Sequence, residues 1–391
     1  MRNLVFFIMA IFFISCIEDG AENDTFESSN FIYQFENSFR DLGESDKSFV
    51  ETNDHGLIVV GTHHDQYLTE NNNRNIYISK ISNKGNLLWE KSIGGIWDDY
   101  GCCIEEFNNE YYILGFKMID GIGLGFKVPY VIRIDNNGKL IWEQTFDLFE
   151  KSANIQGYIS KTSDNNLIIC GSHNKFEPVP FLLKIDENGS VIWSREYFDQ
   201  LGEATNIKVL EIPNSNTYAV LGHPGPYNLC NESIFYYIYE DGTFNGKVVY
   251  ENSRLYSFVF SNDAMFLTGQ ARYPEYDFKL IKYDGQFSSK VFKTANYWGG
   301  EGNAIRLDKT GNLIVTGQSG IDDYVEHNGG QMAIGGSTFL GKFDQSLDSI
   351  WIKYNLNTSN PTSLEITEDN NYLIGTSTNI FRTDPYSYFT Y

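Results

Sequence analysis

Residues 130–142, in one-letter code YVIRIDNNGKLIW, decide the fold. Two short runs rich in β-branched residues flank a turn from Asp135 to Gly138, and Trp142 closes the second run. An Asp/Asn-x-Gly turn between such runs predicts a β-hairpin, because glycine adopts the positive φ that the turn requires. The turn followed by a tryptophan recurs, in places more loosely, at residues 83–89, 186–193 and 344–351.

A second element, an apolar run that ends in glycine, recurs along the whole chain. These runs close at Gly61, Gly115, Gly171, Gly222, Gly269, Gly317 and Gly375. The spacings are 54, 56, 51, 47, 48 and 58 residues, so seven copies fill the chain. Each copy has room for four strands joined by turns. The sequence therefore predicts an all-β fold, a seven-bladed β-propeller of four-stranded antiparallel blades over residues 31–391.

The ends of the chain bear on whether the repeats close into a ring. An open solenoid is the alternative to a propeller, and closure favours the propeller because a ring leaves no open sheet ends. The segment Phe31 to Phe35 resembles an outer fourth strand without its first three, which residues 360–391 would supply. The tail from Tyr388 to Tyr391 is the other candidate for that fourth strand.

Charge and cysteine content exclude several classes of protein. With 29 Lys plus Arg against 51 Asp plus Glu, the net charge of −22 argues against nucleic-acid binding, which needs a basic surface. Five cysteines in 391 residues do not make a disulfide scaffold. Three of them, Cys102, Cys103 and Cys170, lie in or beside apolar strands and are predicted to be small buried residues.

The N-terminus has the pattern of a secretion signal. An apolar run from Leu4 to Ile14 is too short to span a bilayer but suits a signal peptide. Residues 13–16, Phe-Ile-Ser-Cys, resemble a bacterial lipobox, which implies a signal peptide over residues 1–15 and lipidation of Cys16. The acidic residues that follow resemble the surface-export signal of Bacteroidetes lipoproteins. Residues 16–30 are then the lipidated cysteine and a flexible tether, and the mature protein is expected in the outer membrane, exposed at the cell surface.

The repeats also resemble a known group of propellers. Residues 89–95, Asp98 to Tyr100, the Gly115 strand and residues 133–142 look like repeats of secreted Bacteroidetes propellers. They are more distantly similar to quinoprotein-like propellers, which also dock a tryptophan after a glycine turn. The resemblance implies that each tryptophan packs between blades and that the turn aspartate binds its own backbone. It says little about function, because propellers carry many activities.

Long, varied loops are predicted to lie on one face of the propeller and short hairpin turns on the other. The long segments are residues 63–75, 117–129, 173–180, 223–232 and 318–336. Because loops on a rigid scaffold often carry function, this long-loop face is the predicted binding surface. Candidate ligand-binding residues are the aromatic side chains expected there and one neighbouring acid: Trp97, Asp98, Tyr227, Tyr273, Trp298 and Tyr324.

Acidic residues near the blade entries have two interpretations. Glu44, Glu203 and Glu301 occupy equivalent positions, and Asp98 and Asp99 lie close to the corresponding place in the second copy. They would either ring the axis and hold calcium, or accept backbone hydrogen bonds within each link. We favour the second interpretation, and therefore predict no metal site.

These observations predict a non-catalytic module that binds a protein partner or a glycan and has no cofactor. The alternative is a glycan-active lyase or hydrolase in the propeller funnel. It needs two carboxyl groups about 5 to 9.5 Å apart, for which Asp98, Glu203 and Glu301 are candidates. A structural subunit of a surface complex is the third hypothesis. It predicts an exposed apolar patch on the rim and a dry funnel.

Overall fold

A computed structural model gives the fold of the protein. It describes residues 31–34, 39–42, 45–64, 73–120, 126–148, 157–173, 177–225, 232–261, 264–272, 276–294, 299–327, 330–335, 338–354, 361–376 and 379–383. Within these ranges lie 31 strands and one short helix, and no helix is long and apolar enough to cross a membrane.

The strands follow one another with short gaps. Those of the first half are β1 (Phe31–Gln34), β2 (Phe39–Leu42), β3 (Phe49–Glu51), β4 (Leu57–His64), β5 (Arg74–Ile81), β6 (Leu87–Ile93), β7 (Tyr100–Phe107), β8 (Glu110–Asp120), β9 (Phe126–Asp135), β10 (Leu140–Thr145), β11 (Gly157–Lys161), β12 (Leu167–His173), β13 (Val179–Ile185) and β14 (Val191–Glu196). The helix and the strands of the second half are α1 (Phe198–Leu201), β15 (Ala204–Glu211), β16 (Thr217–Pro224), β17 (Ser233–Tyr239), β18 (Phe244–Tyr250), β19 (Ser253–Phe260), β20 (Met265–Ala271), β21 (Phe278–Tyr283), β22 (Phe287–Phe292), β23 (Glu301–Leu307), β24 (Leu313–Gln318), β25 (Ile321–His327), β26 (Gly330–Gly335), β27 (Thr338–Phe343), β28 (Ser349–Lys353), β29 (Pro361–Ile366), β30 (Tyr372–Thr376) and β31 (Asn379–Thr383).

Seven antiparallel sheets form the blades. Blades 2 to 5 are simple meanders, β7 to β10, β11 to β14, β15 to β18 and β19 to β22. Blade 6 consists of β23, β24, β27 and β28, with the separate hairpin β25–β26 inserted in the middle. In blade 1 the first strand is divided into β2 and β3, which both pair with β4 ahead of β5 and β6.

The ring closes through the N-terminus. Blade 7 takes β29, β30 and β31 from the end of the chain and β1 from its beginning, and β1 pairs antiparallel with β31. First strands of neighbouring blades touch all the way round, from β3 through β7, β11, β15, β19, β23 and β29 back to β3. The predicted seven-bladed propeller is confirmed, with Phe31–Gln34 as its closing strand.

The core consists of seven apolar clusters, one between each pair of neighbouring blades. Side chains alternate along each strand, so Leu167 and Ile169 face blade 2 while Ile168 and Cys170 face blade 4. Because both faces of a blade are buried, the second strands are apolar at almost every position. Cys102, Cys103 and Cys170 are buried in these clusters as predicted.

Each tryptophan of the repeat joins its blade to the next one. Trp142 donates its indole N–H to Glu187 O in the following blade at 3.1 Å, and Trp193 donates to Glu240 O at 2.9 Å. The ring of Trp89 covers Gly138, where an added Cβ would lie 2.9 Å from the ring and φ is +72°. Only glycine suits a turn that has both a positive φ and an aromatic ring pressed against it.

The turn aspartates bind their own backbone, as the resemblance implies. Asp135 accepts hydrogen bonds from the N–H groups of Asn137 and Lys139 at 2.9 and 2.8 Å. The structure adds a feature that the sequence analysis missed, an ion pair inside the blade. Lys80 reaches Asp54 at 2.7 Å, and the equivalent pairs Lys184–Asp164 and Lys342–Asp308 lie at 2.5 and 2.8 Å.

Consecutive strands of each blade are antiparallel, so the first and third connections of a blade lie at one end of its sheet and the second lies at the other. Two of the segments predicted as loops contain further strand structure. β8 runs on to Asp120 and β9 begins at Phe126, so most of residues 117–129 is a hairpin extension. Residues 318–336 include the hairpin β25–β26. The long-loop face is therefore partly built from hydrogen-bonded arms.

Candidate functional site

The segment Ser45 to Ser48, between β2 and β3, fills the central channel. The carboxylate of Asp46 accepts hydrogen bonds from Lys208 on β15 at 2.5 Å and from Arg306 on β23 at 3.0 Å. The Ser257 hydroxyl on β19 donates to the same oxygen. One side chain thus contacts the innermost strands of blades 4, 5 and 6, which is a position that only the propeller axis offers.

The rest of this segment, the channel plug, contacts the remaining side of the ring. Lys47 pairs with Glu105 on β7 at 2.5 Å, and its carbonyl accepts the N–H of Ile104 at 3.0 Å. The N–H of Ser48 donates to the Ser363 hydroxyl on β29 at 3.1 Å. The plug therefore binds blades 2, 4, 5, 6 and 7 in addition to its own blade.

Three acidic and three basic side chains meet around the plug: Asp46, Glu105, Glu365, Lys47, Lys208 and Arg306. Burial opposes the charge on Asp46, but Arg306 and Lys208 outweigh it and hold the carboxyl pKa well below its usual value. Burial lowers the pKa of Lys208 to about 8, with the neighbouring Arg306 acting in the same direction against the attraction of Asp46. The charges balance within the cluster, and a buried charge of this kind is tolerated only with such partners.

Because the plug fills the channel, the channel is a poor candidate for a catalytic or ligand-binding site. Asp46 is 7% exposed and Glu105 4%, and both carboxylates are held by cations. Among the described residues no group of three or more His, Cys, Asp or Glu side chains is arranged to hold a metal ion. The described part of the channel is a packed ionic core, so the outer surfaces are the better candidates for ligand binding.

Only some of the predicted site residues lie in the described part of the structure. Trp97 and Asp98 lie in the link from β6 to β7 on the long-loop face. Tyr324 lies on β25, and its side chain is outside the described part of the structure. Three aromatic candidates and the predicted lipidation site also lie outside the described residues: Tyr227, Tyr273, Trp298 and Cys16.

The two acids of this link hold its backbone in place. Asp98 accepts the N–H of Arg74 at 2.9 Å and the Tyr100 hydroxyl at 3.2 Å. Asp99 is fully buried and accepts the N–H groups of Gly95 at 2.6 Å and Met118 at 2.9 Å. Burial raises the pKa of Asp99, although these two donors act in the opposite direction. Both acids thus make the structural hydrogen bonds that we favoured over cation ligation.

The other acids proposed for the axis are spread around the ring. Glu301, at the start of β23, accepts a hydrogen bond from the Tyr256 hydroxyl at 2.8 Å. Glu203 is exposed in the link between α1 and β15, and Glu44 lies outside the described residues. Asp98, Glu203 and Glu301 therefore sit at the entries to blades 2, 4 and 6, which are not neighbours.

An exposed apolar patch surrounds Trp97. Ile96 is 66% exposed, Trp97 36% and Ile119, at the end of β8, 37%. The Asp99 carboxylate bonds both Gly95 and Met118, which brings the link and the end of β8 together. We call Ile96, Trp97 and Ile119 the link patch. Ile96 could have been found in the sequence as an apolar residue outside the repeat strands. Ile119 could be found only from the structure, which shows how far β8 extends.

The next two links carry the same kind of residue. Leu148, after β10, is 45% exposed, and Phe198, at the start of α1, is 42% exposed. Basic side chains flank the link patch, since Arg74 and Lys127 lie 5.4 and 3.8 Å from the centre of the Tyr100 ring. The described part of the long-loop face thus presents apolar groups on the entries to blades 2, 3 and 4, with cations beside the one at blade 2.

Comparison with known proteins supports the fold alone. No protein-family model matches the sequence, and no curated protein matches it. Among solved structures, the WD40 β-propeller domain of Doa1 is 8% identical, with a TM-score of 0.53, covering 93% of this chain and all of that one. Streptogramin B lyase is 13% identical with a TM-score of 0.51, covering 89% and 95%. The extracellular domain of a putative one-component system from B. thetaiotaomicron is 12% identical with a TM-score of 0.51, covering 91% of this chain and 40% of that one. The protein is a β-propeller, distant from each of these.

Proposed function

We propose that the protein is a non-catalytic binding module that recognises a partner protein through its long-loop face. The link patch is the observation that carries this proposal. Ile96, Trp97 and Ile119 are apolar and exposed, and the buried Asp99 binds the backbone of the neighbouring residues Gly95 and Met118. Apolar and aromatic side chains held in this way are typical centres of protein interfaces, whereas scattered single residues are not.

The arrangement of acids also supports binding rather than catalysis. A glycosidase needs two carboxyl groups on either side of one scissile bond. Glu105 and Asp46 are enclosed and paired with cations. Asp98 and Glu301 are hydrogen-bonded in separate links.

A glycan is the second candidate ligand for the same face. Trp97 is exposed and the acidic Asp98 follows it in the same link, and an aromatic ring with a carboxylate nearby suits stacking on a sugar together with hydrogen bonds to its hydroxyl groups. A sugar would need the ring of Trp97 but not Ile96. A protein interface would use both.

The structural-subunit hypothesis has one observation in its favour. At the starts of the outer strands β6, β10 and β14, apolar side chains are exposed on the rim, including Leu88 at 55%, Ile141 at 42% and Ile192 at 47%. These positions precede the repeat tryptophans, so the blade pattern accounts for them without a partner.

Substitutions in the link patch separate these candidates. Ile96→Asp and Trp97→Ala, made in the tagged full chain, are each expected to lower partner capture from outer-membrane extracts about tenfold, since central interface residues carry most of the binding energy. Both positions are exposed, so melting temperatures should change little. Leu88→Asp on the rim is the matched control and should retain capture.

The pattern of losses decides the outcome. Loss of glycan binding on an array in Trp97→Ala but not in Ile96→Asp would favour the glycan candidate. Loss of capture only in Leu88→Asp would favour the rim and the structural-subunit hypothesis. If all three variants capture partners as the wild type does, the link patch is not the binding site.

We further propose that the mature protein is a lipoprotein of the outer membrane, exposed at the surface and anchored through Cys16. The lipobox-like residues 13–16 support this, as do the acidic residues that follow. Removal of residues 1–15 takes away Arg2 alone among the charged residues, so the net charge changes from −22 to −22 − 1 = −23. The tether would reach the propeller at β1, the outermost strand of blade 7.

Cys16→Ala should release the protein from the membrane fraction, because no thiol remains at the lipobox-like segment to take the lipid. Fractionation and labelling with a radioactive fatty acid measure this directly. Cys230→Ala is the control and should stay in the membrane and keep its label. Retention of Cys16→Ala in the outer membrane would contradict the lipid anchor.

A further inference from the structure

A groove of about 470 Å³ lies between blades 3 and 4 on the short-turn face, opposite the link patch. Its aromatic lining is formed by Trp193 on β14 and by Tyr239 at the end of β17. Its acidic lining is formed by Asp164 from the first turn of blade 3 and by Glu240 and Asp241 from the last turn of blade 4. Nothing in the predicted function uses this groove.

At the groove, blade 4 departs from the repeat. In blades 2 and 3 the last turn begins with Asp135 or Asp186, whose carboxylate accepts two backbone N–H groups of the turn. Tyr239 occupies the equivalent position, as the Gly242 N–H donates to its carbonyl at 2.9 Å, and its side chain is 47% exposed. The structural role passes to Asp241, which accepts the Thr243 N–H at 2.8 Å. A capping residue has been replaced by an exposed ring.

The tryptophan of this groove is held rigidly. Its indole N–H donates to Glu240 O at 2.9 Å, and its ring packs over Gly242, where an added Cβ would lie 3.1 Å away. The backbone of Glu240 is thus fixed against Trp193, which leaves the Glu240 side chain, 47% exposed, at the edge of the groove. A rigid aromatic surface beside a carboxylate costs little entropy when a ligand is bound.

The charges of the groove are not balanced. Lys184 sits at its base, 2.5 Å from Asp164 and 3.6 Å from Glu240. Burial opposes the charge of Asp164, but hydrogen bonds from Lys184, Thr162 and Asn166 lower its pKa to about 2, so it stays ionised and neutralises Lys184. Glu240 and Asp241 then remain, with Arg195 near Asp241. The groove keeps a net negative charge in a chain that is already at −22.

We propose that this groove binds the basic side chain of a peptide, a guanidinium or ammonium group, against Trp193 and Tyr239 and beside Glu240 and Asp241. An aromatic face attracts a cation through its quadrupole, and the net negative charge of the groove complements the charge of the cation. A guanidinium is favoured over an ammonium because its flat surface stacks on the rings while its N–H groups reach a carboxylate. The site lies on the face opposite the link patch and does not depend on it.

The test is a calorimetric titration of the full chain with N-acetyl triarginine amide at 150 mM salt. The matched ligand is the tricitrulline peptide, which has the same shape without the charge. Saturable binding of the arginine peptide, and none of the citrulline peptide, is expected. Tyr239→Ala and Glu240→Gln should each weaken binding about 3- to 10-fold, the range that a single cation–π contact or partly exposed ion pair contributes.

Glu187→Gln is the matched control, because Glu187 holds the position of Glu240 in the last turn of blade 3. It removes one unit of negative charge from the same face and should leave the affinity unchanged. Equal weakening in Glu187→Gln would show general attraction to an acidic protein and overturn the site. Binding of tricitrulline or of maltotriose with the affinity of triarginine, or no binding of triarginine at all, would also overturn it. Tighter binding of spermidine than of triarginine would overturn the assignment to a peptide.

Discussion

Replacement of Asp46 by asparagine should destabilise the propeller by about 3 to 5 kcal/mol, the cost of removing one partner from a buried ion cluster. Asp46 binds Lys208, Ser257 and Arg306 at once, and their contacts with one carboxylate tie three blades to the plug. Asparagine keeps the size of the side chain and loses its charge. Lys208, 3% exposed, is then left beside Arg306 without the carboxylate that both of them contact.

Urea unfolding at pH 7 measures the loss, and Asp348→Asn provides the control. Asp348 also forms an ion pair, with Lys290 at 2.5 Å, but its side chain is 69% exposed. Exposed pairs contribute at most about 1 kcal/mol, so this variant should be nearly as stable as the wild type. Similar losses in the two variants would contradict a buried cluster on the axis.

The pH dependence of Asp46→Asn tests the cause of the loss. The pKa of Lys208 is about 8 in the folded protein against an ordinary value of 10.5, so the unfolded chain binds more protons between these values and stability rises with pH. Without Asp46 the pKa of Lys208 falls further, so at pH 7 folding of the variant neutralises a Lys208 that stays charged in the wild type. At pH 10 folding neutralises Lys208 in both chains. The deficit relative to the wild type should therefore shrink between pH 7 and pH 10. An equal deficit at both values would mean that Lys208 is not the group left unpaired.

The blades could be predicted from the sequence because their causes are local. The turn at Asp135 to Gly138 binds its own backbone, and Trp142 docks on a neighbouring turn of the same kind. The turn contacts depend on residues a few positions apart, the tryptophan contact on the next copy along the chain, and both recur in several copies. The closing strand could be recognised for the same reason, because Phe31–Gln34 has the pattern of a fourth strand.

The plug could not be predicted because its partners come together only in the closed ring. Asp46 is 162 residues from Lys208 and 260 from Arg306 in the sequence. No local pattern distinguishes Lys208 from the other basic residues of the strands.

The groove between blades 3 and 4 was missed for a different reason. Tyr239 replaces a turn aspartate, and a departure from a repeat becomes visible only when the equivalent residues are aligned by their hydrogen bonds.

The link residues show the limit of the site prediction. Trp97 and Asp98 were expected together at a binding surface, and the structure does place them in one exposed link. The sequence could not show that the Asp98 carboxylate accepts hydrogen bonds from Arg74 and Tyr100. Nor could it show that Ile96 would be the most exposed apolar side chain of the link patch. Exposure depends on how the link packs on β8, which is a tertiary property.

Truncation of the chain after residue 359 should abolish folding. The deletion removes β29, β30 and β31, and with them the clusters that join blade 7 to both blade 1 and blade 6. It also removes Ser363, which binds Ser48 in the plug, and leaves β1 without its partner β31. In an open solenoid, loss of a terminal repeat costs a single interface, but in a ring it costs two and exposes both blade faces.

Deletion of residues 1–38 is a graded version of the same experiment. It removes only β1, so the apolar clusters remain and β31 becomes an unpaired outer edge. We expect this variant to fold with a lower melting temperature and to aggregate, while a chain that begins at residue 31 matches the wild type. Circular dichroism and thermal unfolding of the three chains order them by the number of interfaces lost. A soluble, cooperatively folded chain that ends at residue 359 would mean that the blades are stable as a linear stack, and that neither β1 nor the plug holds the ring together.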